Sequence, residues 1–296
     1  MRRPVVRALG FYVAGAFVAL ALIVLGVYAI SEWKLRRHRD VPLADFRRDT
    51  APTTDDLAEG ERMAVIVGCW AGCHGRVGQG GSDDTGGWYE ATAPTLSDVL
   101  PRYSDAELVR LIRFGVKRDG VTAIGMVSGT FYALGDDDLG KIIAHLRAQP
   151  PSPPVPRDRT IHFSGRWAMV TGEWKTSADE VDTTMPRWGE LPHASGFERG
   201  RYLVSITCTE CHGLDLQGRA VYGSPALDVV AAYDRDQFRH LLRTGEPLGK
   251  RDLGIMSWVA REAFRRFTDE EIADIHAYLR EYRRAPPTRA AADNGT

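Results

Sequence analysis

The sequence predicts an all-α protein: an apolar N-terminal helix followed by two copies of one small helical unit. Three observations carry this prediction. An uncharged run of 23 residues lies near the N-terminus, helix start and stop signals recur with no strand-alternating run of any length, and two long segments repeat at offsets of 130 and 133 residues.

The uncharged run, "ALGFYVAGAFVALALIVLGVYAI", covers residues 8–30. As a helix it spans ~34 Å, enough to cross a bilayer core. Arg2, Arg3 and Arg7 precede it. A removed signal peptide would have a shorter apolar core, about 7–15 residues, and a small-x-small cleavage site. No convincing site follows Ile30. The expectation is therefore a stub over 1–7, a transmembrane anchor in membrane lipid over 8–30, and a juxtamembrane linker over 31–53. Lys34, Arg36, Arg37 and Arg39 follow the run, so flanking charge does not choose a side of the membrane.

A formal net charge of -1 makes no case for nucleic acid as a partner. The charge is unevenly placed: net +5 over residues 1–50, -5 over 51–150 and zero over 196–284. A positive entry segment and an acidic first unit fit a protein on a membrane.

The repeat runs through three pairs of segments. "APTL" (93–96) matches "SPAL" (224–227), "YSDAELVRLIRFG" (103–115) matches "YDRDQFRHLLRTG" (233–245), and "LGDDDLGKIIAHLR" (134–147) matches "FTDEEIADIHAYLR" (267–280). Both copies read as helical. Ser104 and Glu107 make a capping box, Leu108, Leu111 and Ile112 share one face, and Gly115 stops the helix. Thr268 with Glu271 and Ser195 with Glu198 repeat the box. Asp136, Asp137 and Asp138 suit the positive end of a helix. The units are expected at 54–148 and 196–284. Between them "QPPSPPVPRDRT" opens a Pro-rich linker over 149–195, whose Trp167, Trp174 and Trp188 suggest that it lies against the units. A flexible tail is expected over 285–296.

All four cysteines sit in two tight pairs, each followed at once by a histidine: Cys69, Cys73 and His74 in "GCWAGCHG", and Cys208, Cys211 and His212 in "CTECHG". The second is a covalent haem-attachment pattern. The first carries one extra residue, and by spacing alone it reads as a haem site, a metal site or a chance cluster. Zinc would find only three cramped ligands per pair, and a thioredoxin-like pair would want a βαβ context. The repeat favours haem at both: a pair at i, i+4 still lies on one helical face, and a local bulge near Gly72 can absorb the extra residue. Low-spin electron-transfer haems take a sixth ligand, usually Met. Met126 and Met256 stand 130 residues apart, each expected between two helices, in register with the flanking repeat.

On these motifs the chain resembles the class I cytochrome c family in its membrane-anchored two-haem form, over residues 54–148 and 196–284. The resemblance implies two tandem class I cytochrome c domains, two covalently bound haem c groups, proximal ligands His74 and His212, and distal ligands Met126 and Met256. It implies that the carbonyls of Pro94 and Pro225 orient the proximal histidines. It also implies that a glycine of each first helix packs on an aromatic of each last helix: Gly200 with Tyr278, and Gly60 with His145, where the histidine is packing and not a ligand. The Gly-rich stretch between His74 and Pro94 reads as a surface loop.

The resemblance places the body in the periplasm, anchored by a single pass in a bacterial inner membrane, with the basic run after the anchor at the outer leaflet. It implies single-electron transfer between respiratory partners, either a dehydrogenase or a quinol-oxidising complex on one side and a terminal oxidase on the other, with no active site of its own. The rival reading is a two-haem peroxidase, which needs one open or switchable haem. His38, His162, His193, His240 and His276 receive no role.

Overall fold

The computed structural model describes residues 3–46, 51–76, 78–84, 87–156, 158–185, 196–249 and 251–282. Ser195, Trp188, His193 and the tail from 283 lie outside them, so the third linker tryptophan and the expected tail are not described.

Helix α1 (Arg3–Arg36) continues past the apolar run by six residues. Its stretch Gly10–Arg36 is long and apolar enough to cross a membrane, and its apolar side chains are almost all exposed. The first unit then begins with α2 (Thr54–Ile66), capped by Thr53 and Asp56. After the Cys69–Cys73 turn come strands β1 (Gly81–Asp84) and β2 (Tyr89–Ala93) and helices α3 (Leu96–Val99), α4 (Asp105–Phe114), α5 (Ser128–Phe131) and α6 (Asp136–Ala148). The linker holds strand β3 (Arg159–Ile161) and helix α7 (Phe163–Thr171). The second unit holds α8 (Phe197–Thr207), α9 (Thr209–His212), α10 (Arg235–Thr244), α11 (Ile255–Glu262) and α12 (Asp269–Tyr282).

The caps predicted at Ser104 and Thr268 form, whereas α8 has Gly196, not Ser195, at its N-cap. Ser104 and Glu107 exchange both bonds of the box at α4, and Gly115 ends that helix at φ 64°. Thr268 and Glu271 do the same at α12, at 2.7 and 3.1 Å. Asp234 and Gln237 cap α10, and Gly245 ends it as Gly115 ends α4.

In both units the first and last helices cross at a glycine. A Cβ on Gly60 would strike the Lys141 carbonyl oxygen and lie 3.0 Å from the His145 Cβ. On Gly200 it would strike the Asp274 carbonyl oxygen and lie 3.0 Å from the Tyr278 Cβ. Only glycine lets these backbones approach so closely. Around the crossings Met63, Leu139, Ile142, Tyr202, Ile206, Ile272 and Ile275 are buried in one continuous core that runs through both units. Each fully buried Leu or Ile contributes about 1.5–3 kcal/mol. His145 is buried, and its ring meets the edge of Trp70 at 5.3 Å. Burial lowers its pKa, as suits a neutral packing imidazole.

The units meet reciprocally. Two residues after the crossing glycine, each unit reaches the first turn of the other's last helix. Arg62 grips Glu271 with two bonds of 2.8 and 2.9 Å. The Tyr202 hydroxyl donates to Asp138 at 2.6 Å and accepts from the Gly135 N–H at 3.2 Å. Asp138 and Glu271 occupy corresponding places in α6 and α12, so the arrangement is that of a two-fold interface built within one chain. Asp138 therefore does more than serve a helix end: it is buried against its neighbour.

One expectation is corrected. The fold is mostly helical but not purely so, because β1, β2 and β3 form an antiparallel sheet with Gly81 opposite Ala93 and Tyr89 opposite Ile161. The Gly-rich stretch is thus a hairpin, not a plain surface loop. No alternating apolar pattern announced it: β1 and β2 are held by backbone pairing with each other, and β2 pairs on its other edge with β3 of the distant linker. Within the linker, Trp174 stacks on Tyr89 at 5.0 Å, as its aromatics suggested, whereas Trp167 is exposed. Part of the basic run after the anchor is paired within the chain. Arg37 and Arg39 bind Asp179 at 2.6 and 3.1 Å, and Lys34 donates to the Met169 carbonyl at 2.6 Å.

Candidate functional site

Each Cys/His group sits at the C-terminal end of its unit's first helix. In the second unit the turn is α-helical: the His212 N–H donates to the Cys208 carbonyl at 2.9 Å. In the first, residues Cys69–Cys73 form a π-helical turn, closed by the Cys73 N–H on the Gly68 carbonyl at 3.3 Å. A π-turn holds one more residue per turn than an α-turn, so the extra residue is absorbed before Cys73. Gly68, at φ 77°, starts that turn.

From the second cysteine onward the two sites coincide. His74 Nδ1 lies 2.9 Å from the Pro94 carbonyl oxygen, and His212 Nδ1 lies 2.8 Å from that of Pro225. Burial lowers the pKa of both histidines, only partly opposed by these carbonyls. A neutral ring that donates from Nδ1 leaves the Nε2 lone pair free for a metal.

The carbonyls are held in place by a feature not singled out from the sequence. The Gly80 N–H donates to the His74 carbonyl at 2.9 Å, and the Gly218 N–H donates to the His212 carbonyl at 2.8 Å. Both glycines have positive φ, 97° and 87°, and both press against the proline segment. A Cβ on Gly80 would lie 2.5 Å from the Ala93 carbonyl oxygen, and one on Gly218 would meet that of Ser224. The sequence carried a signal for them: "HGRVGQG" (74–80) and "HGLDLQG" (212–218) share His-Gly-x-x-x-Gln-Gly. The offset is 138 at the histidines and 131 at the prolines, so seven residues are inserted in the first unit after Gly80. They lie in the β1–β2 hairpin.

None of the four cysteines is in a disulfide. Burial raises the Cys69 and Cys211 thiols to about 12 and that of Cys208 to about 11. Among the described residues no group of three or more His, Cys, Asp and Glu gathers as a metal cluster. Met126 lies in the segment before α5, and Met256 is the second residue of α11 rather than between helices; both pack, half-buried, on the core. Two thiols, one imidazole with a free Nε2 and one thioether per unit are the donor set that a covalently held haem takes. The residues fit that group at both places.

Comparison with known proteins supports this for the second unit. Residues 197–282 match the Cytochrome c family. The chain is 25% identical to the cytochrome c subunit of the quinone alcohol dehydrogenase of Gluconacetobacter polyoxogenes over 266 residues, which cover 77% of this chain and 55% of that subunit. The same figures hold for the corresponding subunit of Komagataeibacter europaeus. The chain spans about half the length of these curated relatives. The family match thus falls on the second unit, which carries a cytochrome c domain.

Proposed function

We propose that the chain is a membrane-anchored dihaem cytochrome c that passes single electrons between respiratory partners, with units 54–148 and 196–284 each holding one haem c. The observation that carries this reading is the duplicated cradle, in which a proline carbonyl and a positive-φ glycine hold the histidine beside each cysteine pair. Haem c, when bound, supplies a one-electron couple.

The chain's own residues do the rest. Cys69 and Cys73 in one unit, and Cys208 and Cys211 in the other, provide the thioether sulfurs. His74 and His212 present Nε2, and the Pro94 and Pro225 carbonyls fix their tautomer and raise their basicity. Met126 and Met256 would supply a second ligand to each haem, and a Met/His pair would raise its potential. With both ligands supplied by protein, no position would be left open for peroxide. The shared core and the reciprocal Arg62–Glu271 and Tyr202–Asp138 contacts hold the two sites in one body. Thr209, between the second pair of cysteines, bonds to Thr130 of the first unit at 3.1 Å. Exchange within the chain is therefore across a packed interface.

The relatives are dehydrogenase subunits, and this supports a place as the cytochrome subunit of a periplasmic dehydrogenase; a quinol-oxidising complex and a terminal oxidase are the other respiratory neighbours of such a chain. Helix α1 supports single-pass anchoring in the bacterial inner membrane with the body in the periplasm. Intact-mass analysis with redox titration of the purified holoprotein tests the reading. Two haem masses and two low-spin potentials are expected, with Met256→Ala lowering one of them. A single haem mass, or a high-spin haem that turns over peroxide with both methionines intact, overturns it. Co-purification from native membranes in mild detergent identifies the partner.

A further inference from the structure

Helix α7 is the element least accounted for by electron transfer. It lies between the end of α1 and the first unit. One face packs on α1: Val27, Ser31 and Leu35 of α1 are buried, as are Gly165, Ala168 and Met169 of α7. Arg166 lies over the Tyr28 ring at 4.6 Å and bonds Ser31 and Glu32, each at 2.9 Å. Gly165 also presses against the Trp88 backbone of the first unit. Polar and small residues of α7 are thus spent on the protein.

Its large apolar residues are not. Phe163 is 44% exposed and Trp167, one helical turn on, is 47% exposed. On α1, Tyr28 is exposed beside them, and the Phe163 ring lies 6.2 Å from that of Tyr28. This aromatic group lies where the uncharged run of α1 ends and its first following charges, Glu32 and Lys34, begin. Both charges are bound by α7, through Arg166 and through the Met169 carbonyl. The exposed apolar surface of α1 is therefore continuous with the exposed face of α7. Tyr and Trp prefer the headgroup level of a bilayer, where an apolar body and a polar tip are both satisfied.

We propose that α7 is a second membrane contact: an interfacial helix that seats Phe163 and Trp167 among the lipid headgroups beside the end of α1. It sets the distance and tilt of the body relative to the bilayer, because α7 is clamped to α1 on one side and to the first unit on the other. The inference rests on α1 being a membrane anchor.

The test is photolabelling of the full-length holoprotein in phosphatidylcholine vesicles that contain a phospholipid with a diazirine near its glycerol backbone. Tryptic peptides are then mapped by mass spectrometry. Peptide 252–261, with exposed Ile255 and Trp258 far along the chain from α1, is the internal control for non-specific apolar labelling. Adducts on 160–166 and 167–175 at least fivefold above the control, together with adducts on α1, are the expected result. Adducts on α1 with 160–175 at control level overturn the interfacial role and leave the anchor standing. No adducts on α1 above control overturn both.

Discussion

The two Cys/His turns do the same work with different backbones, and where they differ is instructive. The first unit carries an extra residue before its second cysteine and seven more after its glycine, yet the eight residues from Cys73 to Gly80 match those from Cys211 to Gly218 in length. That stretch is pinned at both ends. The glycine N–H is bonded to the histidine carbonyl, and the glycine is pressed on the proline segment that holds the ring. Additions are tolerated outside it, in a π-turn and a hairpin, because neither disturbs the histidine–proline bond. The residue after the first cysteine differs too. Trp70 packs against its own unit's His145, whereas Thr209 reaches across to Thr130.

The largest expected effect tests whether the two helix crossings are equivalent. Gly60→Ala and Gly200→Ala each force a Cβ into a carbonyl of the facing helix, and each is expected to cost about 3 kcal/mol. Denaturant unfolding measures both. A loss at one and none at the other breaks the equivalence. Next come Gly80→Ala and Gly218→Ala, which combine a positive φ with a backbone clash. Each is expected to cost about 2 kcal/mol and to lower the potential of its own haem while leaving the other within error, as read by redox titration.

Tyr202→Phe leaves the buried Gly135 N–H without its partner and is expected to cost about 1–2 kcal/mol. Its counterpart is read by pH. Burial alone would raise the Glu271 pKa, but Arg62 and the Thr268 N–H hold it below the ordinary 4.5. Its stabilising effect is present above that value and is lost as pH falls through the depressed one. Asp138 has the opposite sign: burial raises its pKa despite the Tyr202 bond, so its protonation favours the folded state as pH falls. Glu271→Gln is therefore expected to flatten the acid limb of the stability curve, at a cost near neutral pH of about 1 kcal/mol. An acid limb as steep as that of the parent removes the Arg62–Glu271 pair as its source.

The smallest effect is expected from deleting Gly72, which restores a two-residue spacer. Gly72 lies within the π-turn, and the second unit closes the corresponding turn as an α-turn with two residues between its cysteines. Stability is expected to change by less than about 0.5 kcal/mol, with two haem masses retained. Loss of the first haem would show that the π-turn is required for attachment rather than merely tolerated.

Much of this protein was legible in one dimension. The caps at Ser104 and Thr268, the stop at Gly115, the apolar run of α1 and the duplicated Cys/His groups all depend on groups within a few residues of each other, so spacing alone reports them. The glycine crossings at Gly60 and Gly200 and the proline carbonyls at 94 and 225 were reached through family resemblance, since nothing local marks them. What only the tertiary structure decided is non-local. The β1–β2–β3 sheet borrows an edge from the linker, α7 is clamped between α1 and the first unit, and Asp179 gathers Arg37 and Arg39 from more than a hundred residues away. Arg62 and Tyr202 find their partners across the interface because the two crossings bring the first turn of each last helix against the other unit. Backbone pairing and buried charge matching of this kind depend on where surfaces meet, and no window of sequence contains that.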